Sequence, residues 1–161
     1  SKDEILNLQT LLSFYLDSEE EHFIKKKIKF SFIGEIAKFD HKIKSKLKNL
    51  QVRTKSFNKL HFTLALSYGS RREIVNSIKK ISKNISLLTE ADIAKSLMTK
   101  DIPDPDLVIR TSGEERISNF LLWQMAYSEL YFTDVYWPSF QKKDLLKAVK
   151  TFQDRKRRYG E

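Results

Sequence analysis

Short apolar segments alternate with longer amphipathic segments along the chain, and this alternation limits the folds open to it. Ile28–Ile33, Leu60–Leu66 and Leu107–Arg110 are rich in branched or aromatic residues, which is typical of strands. Strands that alternate with helices occur in α/β domains whose sheet is mainly parallel. We therefore predict an α/β fold with a mainly parallel central sheet flanked by helices.

The amphipathic segments repeat apolar residues at every third or fourth position, which predicts helices. Thr89 has the spacing of an N-cap with Asp92 in a capping box. Ser118 is predicted to cap a helix that is apolar nearly all round and therefore buried. The predicted helices are Lys2–His22, Asp40–Val52, Arg71–Asn84 with Ile74, Ile78 and Ile81 inward, a short helix to Met98, Ser118–Tyr131 and Lys142–Arg158, and a last strand is predicted at Val135–Trp137.

Length and composition indicate one cytosolic domain. The chain has 161 residues, no cysteine and no apolar run long enough to cross a bilayer, and its N-terminus does not resemble a signal peptide. We find no repeat or linker, so residues 1–161 are predicted to form a single domain. The net charge of +9 favours an anionic partner, whether nucleic acid, anionic lipid or a phosphorylated substrate. A lysine-rich surface that serves solubility is the alternative.

Two arginines and a serine predict a site for a diphosphate. Arg110 ends a predicted parallel strand, where open α/β sheets place their ligands, and Arg116 and Ser118 follow closely. Guanidinium groups bind phosphate oxygens in bidentate fashion, and a helix that begins at Ser118 would add free N–H groups. In the alternative, Arg110 pairs with Glu114 or Asp106 and Ser118 only caps the helix.

Two further features have both a functional and a purely structural interpretation. Ser67–Arg72 repeats the layout of strand end, small turn and cationic helix start, but the local sequence favours an ordinary strand–helix turn with solvated arginines. Glu129 lies in apolar surroundings, where a bare carboxylate is costly. A divalent cation shared with a diphosphate would suit it, as would a buried arginine or lysine partner.

At this point the sequence resembles a known family. LVIRTSGE (Leu107–Glu114), RISNFLLWQ (Arg116–Gln124) and AYSELYF (Ala126–Phe132) resemble the signature block of cis-prenyltransferases, in particular the bacterial undecaprenyl diphosphate synthases. Tyr68–Arg71 and the terminal Arg158–Gly160 are similar to other family motifs. The block is long and specific, and a looser likeness extends over nearly the whole chain.

The resemblance implies an activity and a substrate. The family condenses isopentenyl diphosphate onto an allylic diphosphate, usually farnesyl diphosphate, with Mg²⁺, and each new double bond is cis. By position, Arg110, Arg116 and Ser118 would hold the diphosphate of isopentenyl diphosphate. Lys2–His22 and Asp40–Val52, together with the second strand, match the elements that wall the family's apolar tunnel for the growing chain. The product implied is undecaprenyl diphosphate, a lipid carrier precursor for cell-wall polysaccharide.

The resemblance also assigns metal and interface residues. Glu129 matches the family's C-terminal acid, which is linked to Mg²⁺ and to the region near the subunit interface. Arg158 and Gly160 would reach across a homodimer to the partner's site. Gly69 and Arg71 are further candidates for substrate binding. The expected location is cytoplasmic and peripheral to the inner face of the membrane, and no nucleic-acid partner is expected.

Two motifs of the family's N-terminal third are absent, an Asp-Gly-Asn-Gly-Arg-Trp loop and a Ser-Glu-Asn-Trp segment. The loop carries the aspartate central to Mg²⁺ and allylic diphosphate binding, so no catalytic residue is assigned. We expect the chain to be the C-terminal two-thirds of a cis-prenyltransferase catalytic domain, without its N-terminal strands. A non-catalytic partner subunit of a heteromeric prenyltransferase is the alternative, and a basic nucleic-acid-binding module is a more distant one.

Overall fold

The computed structural model describes residues 2–81 and 85–155. The chain divides into two compact units, which we call unit 1 (Ser1–Tyr68) and unit 2 (Gly69–Glu161). In the described residues, each unit contains a pair of parallel strands with one or more helices packed against it. The predicted α/β class with parallel strands is therefore confirmed, whereas the single domain stays a prediction.

The helices and strands have the following bounds in chain order. Unit 1 contains α1 (Lys2–Ser18), α2 (Glu20–Lys25), β1 (Ile28–Gly34), α3 (His41–Thr54) and β2 (Leu60–Leu66). Unit 2 contains α4 (Ser70–Lys80), a 3₁₀ turn (Ile85–Leu87), α5 (Glu90–Ala94), β3 (Leu107–Arg110), β4 (Glu129–Phe132), a second 3₁₀ turn (Trp137–Ser139) and α6 (Lys142–Asp154).

Unit 1 is organised around α3, the helix that connects its two parallel strands. Asp40 caps the helix, since its Oδ1 accepts a hydrogen bond from the backbone N–H of Ile43 at 2.7 Å. Ile43, Leu47 and Leu50 then repeat on one face and are almost completely buried. They pack with Leu16 and Phe30 in one apolar core. The helical spacing of apolar residues in the sequence therefore correctly predicted the buried face of α3.

The strands of unit 2 are shorter, and α6 packs against both of them. β3 and β4 pair in parallel from Leu107 opposite Glu129 to Arg110 opposite Phe132. A parallel pair needs a long connection between its strands. Here residues 111–128 form that connection, and they are turns and irregular chain instead of a helix.

Several predicted elements differ from the structure. The helix predicted at Ser118–Tyr131 is wrong, because the backbone has positive φ at Ser118, Asn119 and Leu121, which an α-helix cannot contain. The strand predicted at Val135–Trp137 is wrong too, because Trp137 begins a 3₁₀ turn that includes Pro138. The first predicted helix is divided into α1 and α2.

The buried face of α4 also differs from the prediction. Ser70, Glu73 and Ser77 are its buried residues, whereas Ile74 and Ile78 are only partly buried. The capping box of Thr89 and Asp92 is confirmed, and the short helix that it opens ends at Ala94 instead of Met98. The buried face of α4 is therefore polar, and its side chains require hydrogen-bond partners within unit 2.

Candidate functional site

A cleft in unit 2 brings two of the predicted site residues together. Arg110 and Arg116 both line a cavity of about 290 Å³. The rest of its wall is mostly apolar. The other lining residues are Val108, Ile109, Thr111, Ile117, Phe120, Met125, Leu130 and Phe132. The cleft therefore combines two fixed positive charges with a surface that can hold a small hydrocarbon group.

Arg110 is held at the carboxyl end of β3, at the wall of this cleft. Its Nε is buried and has no hydrogen-bond partner among the described residues. A buried donor without a partner costs roughly 1–3 kcal/mol, so such groups in proteins usually meet a ligand or water. Glu114, one of the two acidic partners considered for Arg110, pairs with Arg116 instead.

Arg116 lies in the loop after β3 and forms an ion pair with Glu114. The Arg116 side chain is 65% exposed, so solvent weakens this pair. Exposed pairs of this kind contribute at most about 1 kcal/mol. A diphosphate carries more charge and more acceptor oxygens than one carboxylate, and it can therefore replace Glu114 at this guanidinium.

Ser118 does not play the structural role predicted for it. No helix begins there, since φ is +48° at Ser118 and the following residues form turns. Its side chain is exposed, and it is not among the residues that line the cleft. The helix N-terminus that was predicted to help bind a phosphate is therefore absent from this position, and the two arginines supply the positive charge.

The second predicted turn lies at the N-terminus of α4, next to Asn119. The backbone N–H groups of Ser70 and Arg71 donate to the main-chain and side-chain oxygens of Asn119, both at 2.9 Å. A Cβ atom on Gly69 would lie 3.0 Å from the Asn119 amide nitrogen. These helix-terminal donors are satisfied within the protein, which favours the structural interpretation of the turn.

Sequence reasoning did not single out Asn119, because a helix was predicted across it. The available signal was the residue type. Asparagine is one of the few residues that readily adopt the left-handed conformation, and its φ is +61°. An asparagine directly after a serine is therefore as compatible with a turn as with a helix.

Glu129 starts β4 and is paired with an arginine. Arg155 donates from Nη1 to Glu129 Oε2 at 2.8 Å and to the backbone oxygen of Leu130 at 2.9 Å. An arginine was one of the two partners foreseen for this carboxylate. In the part of the chain that the structure describes, no group of three or more metal-ligating side chains is present. These residues do not fit a Mg²⁺ site built by the protein alone.

Two predicted interface residues, Arg158 and Gly160, lie outside the described residues. Among the residues that are described, the cleft beside Arg110 and Arg116 is thus the place where the predicted site residues converge. Its chemistry suits an amphiphilic anion with a compact apolar group.

Comparison with known proteins decides the family. A family model described as "Putative undecaprenyl diphosphate synthase" matches residues 1–160, nearly the whole chain. The chain belongs to the cis-prenyltransferase family. The resemblance predicted from the residues around Arg110, Arg116 and Glu129 is therefore confirmed, and the named relatives of this family member are transferases.

Individual relatives agree with this family assignment. An isoprenyl transferase of Fusobacterium nucleatum is 45% identical over 160 residues, which are 99% of this chain and 69% of that protein. A Thermoplasma volcanium protein named tritrans,polycis-undecaprenyl-diphosphate synthase (geranylgeranyl-diphosphate specific) is 44% identical over 149 residues, or 88% of this chain and 58% of its own length. The chain thus spans between about three-fifths and two-thirds of the length of these curated relatives.

A solved structure extends the likeness to the fold. The lavandulyl diphosphate synthase of Lavandula x intermedia, in complex with dimethylallyl diphosphate, superposes on this cis-prenyltransferase with a TM-score of 0.95 at 32% identity. The match covers all of this chain and 73% of the plant protein. The α/β architecture of the family is therefore present here.

Proposed function

We propose that the cleft beside Arg110 and Arg116 binds the diphosphate of isopentenyl diphosphate during cis-prenyl chain elongation. The observation that carries this proposal is the buried Nε of Arg110, which has no partner among the described residues and lies at the same cleft as Arg116. A ligand diphosphate supplies the missing acceptor. The apolar wall would then receive the five-carbon group attached to it.

The two arginines have different tasks in this proposal. Arg110 is placed by β3 and offers a donor that is already desolvated, so its bond to phosphate is strong. Arg116 is exposed and exchanges Glu114 for the ligand. Because guanidinium groups form pairs of parallel hydrogen bonds to phosphate oxygens, they fix the orientation of the substrate as well as its position.

The family's reaction is an alkylation in which the diphosphate held by this cleft is retained. The double bond of isopentenyl diphosphate supplies the electron pair for a new bond from its C4 to C1 of the allylic substrate. The C1–oxygen bond breaks, and its electrons leave with the allylic diphosphate. A proton then departs from C2, and the electrons of that C–H bond form the new cis double bond. The arginines contribute alignment and charge neutralisation.

The proposal also includes the identity of the allylic substrate. Farnesyl diphosphate is the acceptor that the family resemblance implies, with undecaprenyl diphosphate as the product and cell-wall lipid carrier synthesis as the role. The Thermoplasma relative, however, is named as geranylgeranyl-diphosphate specific. A comparison of the two acceptors with the intact protein decides between them, since the faster one identifies the substrate.

Mg²⁺ remains part of the proposal only through the family resemblance. The Glu129–Arg155 pair and the lack of a ligand cluster among the described residues do not fit a resident metal. No step of the proposed chemistry is therefore assigned to a metal at Glu129.

The homodimer and the contact with the inner face of the membrane also remain proposals. Arg158 and Gly160, the residues predicted to cross a dimer interface, are outside the described residues. Among the described helices, none is long and apolar enough to cross a membrane. A basic chain that makes a lipid product would meet the bilayer at its surface, in the cytoplasm.

Calorimetric titration with isopentenyl diphosphate tests the proposed cleft. We expect Arg116→Ala to weaken binding by about ten- to a hundredfold, the range for one charge-assisted hydrogen bond. Arg53→Ala is the matched control, because Arg53 is also an exposed arginine paired with a glutamate, but in unit 1. In an elongation assay, Arg116→Ala should raise the KM for isopentenyl diphosphate far more than that for the allylic substrate. Equal effects on both substrates, or undiminished binding, would contradict the assignment.

A further inference from the structure

The loop that carries Arg116 is anchored at both of its ends. At the first end, the N–H groups of Ser112 and Gly113 donate to the backbone oxygens of Val135 and Thr133, both at 3.0 Å. At the second end is Asn119, three residues beyond Arg116. The position of Arg116 relative to the end of β3 therefore depends on two sets of hydrogen bonds.

Asn119 forms the second anchor with two acceptors. Its backbone oxygen accepts from the N–H of Ser70, and its side-chain Oδ1 accepts from the N–H of Arg71, each at 2.9 Å. The acceptors thus satisfy two N–H groups in the first turn of α4, a task usually done by a residue of the helix's own N-cap. The residue at the N-cap itself is Gly69, which has no side chain to do it.

The contact is reciprocal and closely packed. Ser70 is completely buried, and its hydroxyl oxygen accepts from the N–H of Leu122 at 2.9 Å. Gly69 has an extended backbone, with φ of −152°, but a Cβ there would approach the Asn119 amide to 3.0 Å. Residues 69–71 and 119–122 therefore form one hydrogen-bonded unit, which we call the Asn119 anchor.

We propose that Asn119 is a positioning residue for the diphosphate site. It holds the end of the Arg116 loop on α4, and so keeps Arg116 at the same cleft as Arg110. This inference rests on the proposed function. The side chain of Asn119 does not line the cleft, so it acts through the backbone of the loop and not by touching the substrate. Its conformation, with φ of +61°, also suits asparagine better than most residues.

The test is calorimetric binding of isopentenyl diphosphate to three variants and one control variant, and circular dichroism checks the folding of each. Asn119→Ala removes the side-chain acceptor, and we expect binding to weaken by about tenfold or more, since small displacements of a positioned charge are costly. Asn119→Asp keeps Oδ1 and places a negative charge at a helix N-terminus, so it should bind within about threefold of the unchanged chain.

Gly69→Ala probes the same anchor without removing any hydrogen-bonding group. Its backbone conformation accepts alanine, so the methyl group acts by displacing the Asn119 amide. We expect weaker binding, in the same direction as Asn119→Ala and by a smaller factor. Should Asn119→Ala fail to fold, Gly69→Ala and Asn119→Asp together still decide the matter. Asn76→Ala, farther along α4, is the matched control.

The outcomes separate this inference from the function on which it rests. If the unchanged chain does not bind isopentenyl diphosphate, the proposed function fails. If it binds, and folded Asn119→Ala and Gly69→Ala bind equally well, the proposed function stands and the positioning role is refuted. Equal loss in Asn119→Ala and Asn76→Ala would also refute it, because the effect would then belong to α4 in general. Loss at the anchor alone, with recovery in Asn119→Asp, supports the inference.

Discussion

The two units of this cis-prenyltransferase chain are stabilised in different ways. Unit 1 buries an apolar cluster around α3, formed by Leu16, Phe30, Ile43, Leu47 and Leu50. Unit 2 buries polar side chains together with a few apolar ones. Its buried polar residues are Ser70, Glu73, Ser77, Thr99 and Gln124. The candidate site lies in unit 2, the unit organised by hydrogen bonds.

The difference extends to the backbone. Among the described residues other than glycine, unit 1 has positive φ at Lys27 and Ser67, whereas unit 2 has it at four residues, all of them in the connection between β3 and β4. The four are Ser112, Ser118, Asn119 and Leu121. Such conformations are strained for most residues and persist only where surrounding contacts hold them. In unit 2 these contacts are specific hydrogen bonds, such as those of the Asn119 anchor. In unit 2, specific polar contacts thus fix the backbone of a binding loop.

The largest effect on stability is expected from a substitution that creates a cavity in the apolar core of unit 1. Leu47 is completely buried, so Leu47→Ala should lower the free energy of unfolding by about 2–5 kcal/mol. Urea unfolding followed by far-ultraviolet circular dichroism measures the change. Val52→Ala on the same helix is the control, because Val52 is 62% exposed and should change little. A loss at Leu47 no greater than that at Val52 would mean that the apolar core does not dominate unit 1.

A smaller effect is expected from the polar interior of unit 2. Glu73 is 4% exposed and accepts from the N–H of Met98 at 2.7 Å and from Gln124 Nε2 at 3.2 Å. Glu73→Ala leaves these buried donors with fewer partners, which should cost about 1–3 kcal/mol. Tryptophan fluorescence during urea unfolding monitors this unit, since Trp123 and Trp137 are the only tryptophans of the chain.

Exposed Glu115 provides the control for the buried carboxylate. Glu115→Ala should leave the fluorescence midpoint nearly unchanged. If Glu73→Ala is equally harmless, the buried hydrogen bonds are not what stabilises unit 2, and the contrast between the units is lost.

The smallest effect on stability is expected from a histidine on the paired strands β1 and β2 of unit 1. His61 Nε2 lies 2.8 Å from the hydroxyl of Ser31. Burial away from water, and secondarily the charge of Lys29, lower the pKa of His61 below its ordinary value of 6.5. The imidazole of His61 therefore binds a proton more tightly in the unfolded chain than in the folded chain. The contribution of neutral His61 to stability is fully present above its ordinary, unfolded-state pKa. It is lost as the pH falls from there through the lower pKa of His61 in the folded chain.

We expect the free energy of unfolding to be slightly lower at about pH 5.5 than at about pH 8, and His61→Gln to remove part of this difference. Urea unfolding at the two pH values measures it. His22→Gln serves as the control, because His22 is exposed on α2. A pH difference unchanged by His61→Gln would show that His61 does not couple protonation to folding.

Unit 1 was predicted closely from periodicity. β2 has the predicted bounds, β1 differs by one residue, and α3 (His41–Thr54) begins one residue after the predicted start at Asp40. These elements follow the rule that apolar spacing marks the buried face. In unit 2 the same rule predicted β3 correctly but gave a helix from Ser118 to Tyr131, because the apolar residues there suit a buried helix equally well.

In the candidate site too, local sequence predicted some residues correctly, whereas contacts between distant residues could not be predicted. Arg110 and Arg116 were identified from residue type and from the position at the end of a strand, and the structure places both at one cleft. The arginine partner of Glu129 could not be chosen, because Arg155 lies 26 residues away in the sequence. Asn119 was missed because a helix was predicted across it and because its partner Arg71 lies 48 residues away in the sequence.

The sequence by itself determined the family, the parallel α/β class and the cationic residues available to bind a diphosphate. These properties depend on residue type and on local spacing, which are present in the linear chain. Tertiary structure alone decided that residues 118–128 form turns, that Glu129 pairs with Arg155 and that Asn119 caps α4. The physical reason is that a buried hydrogen-bonding group requires a partner, and partners distant in the sequence meet only when the chain has folded.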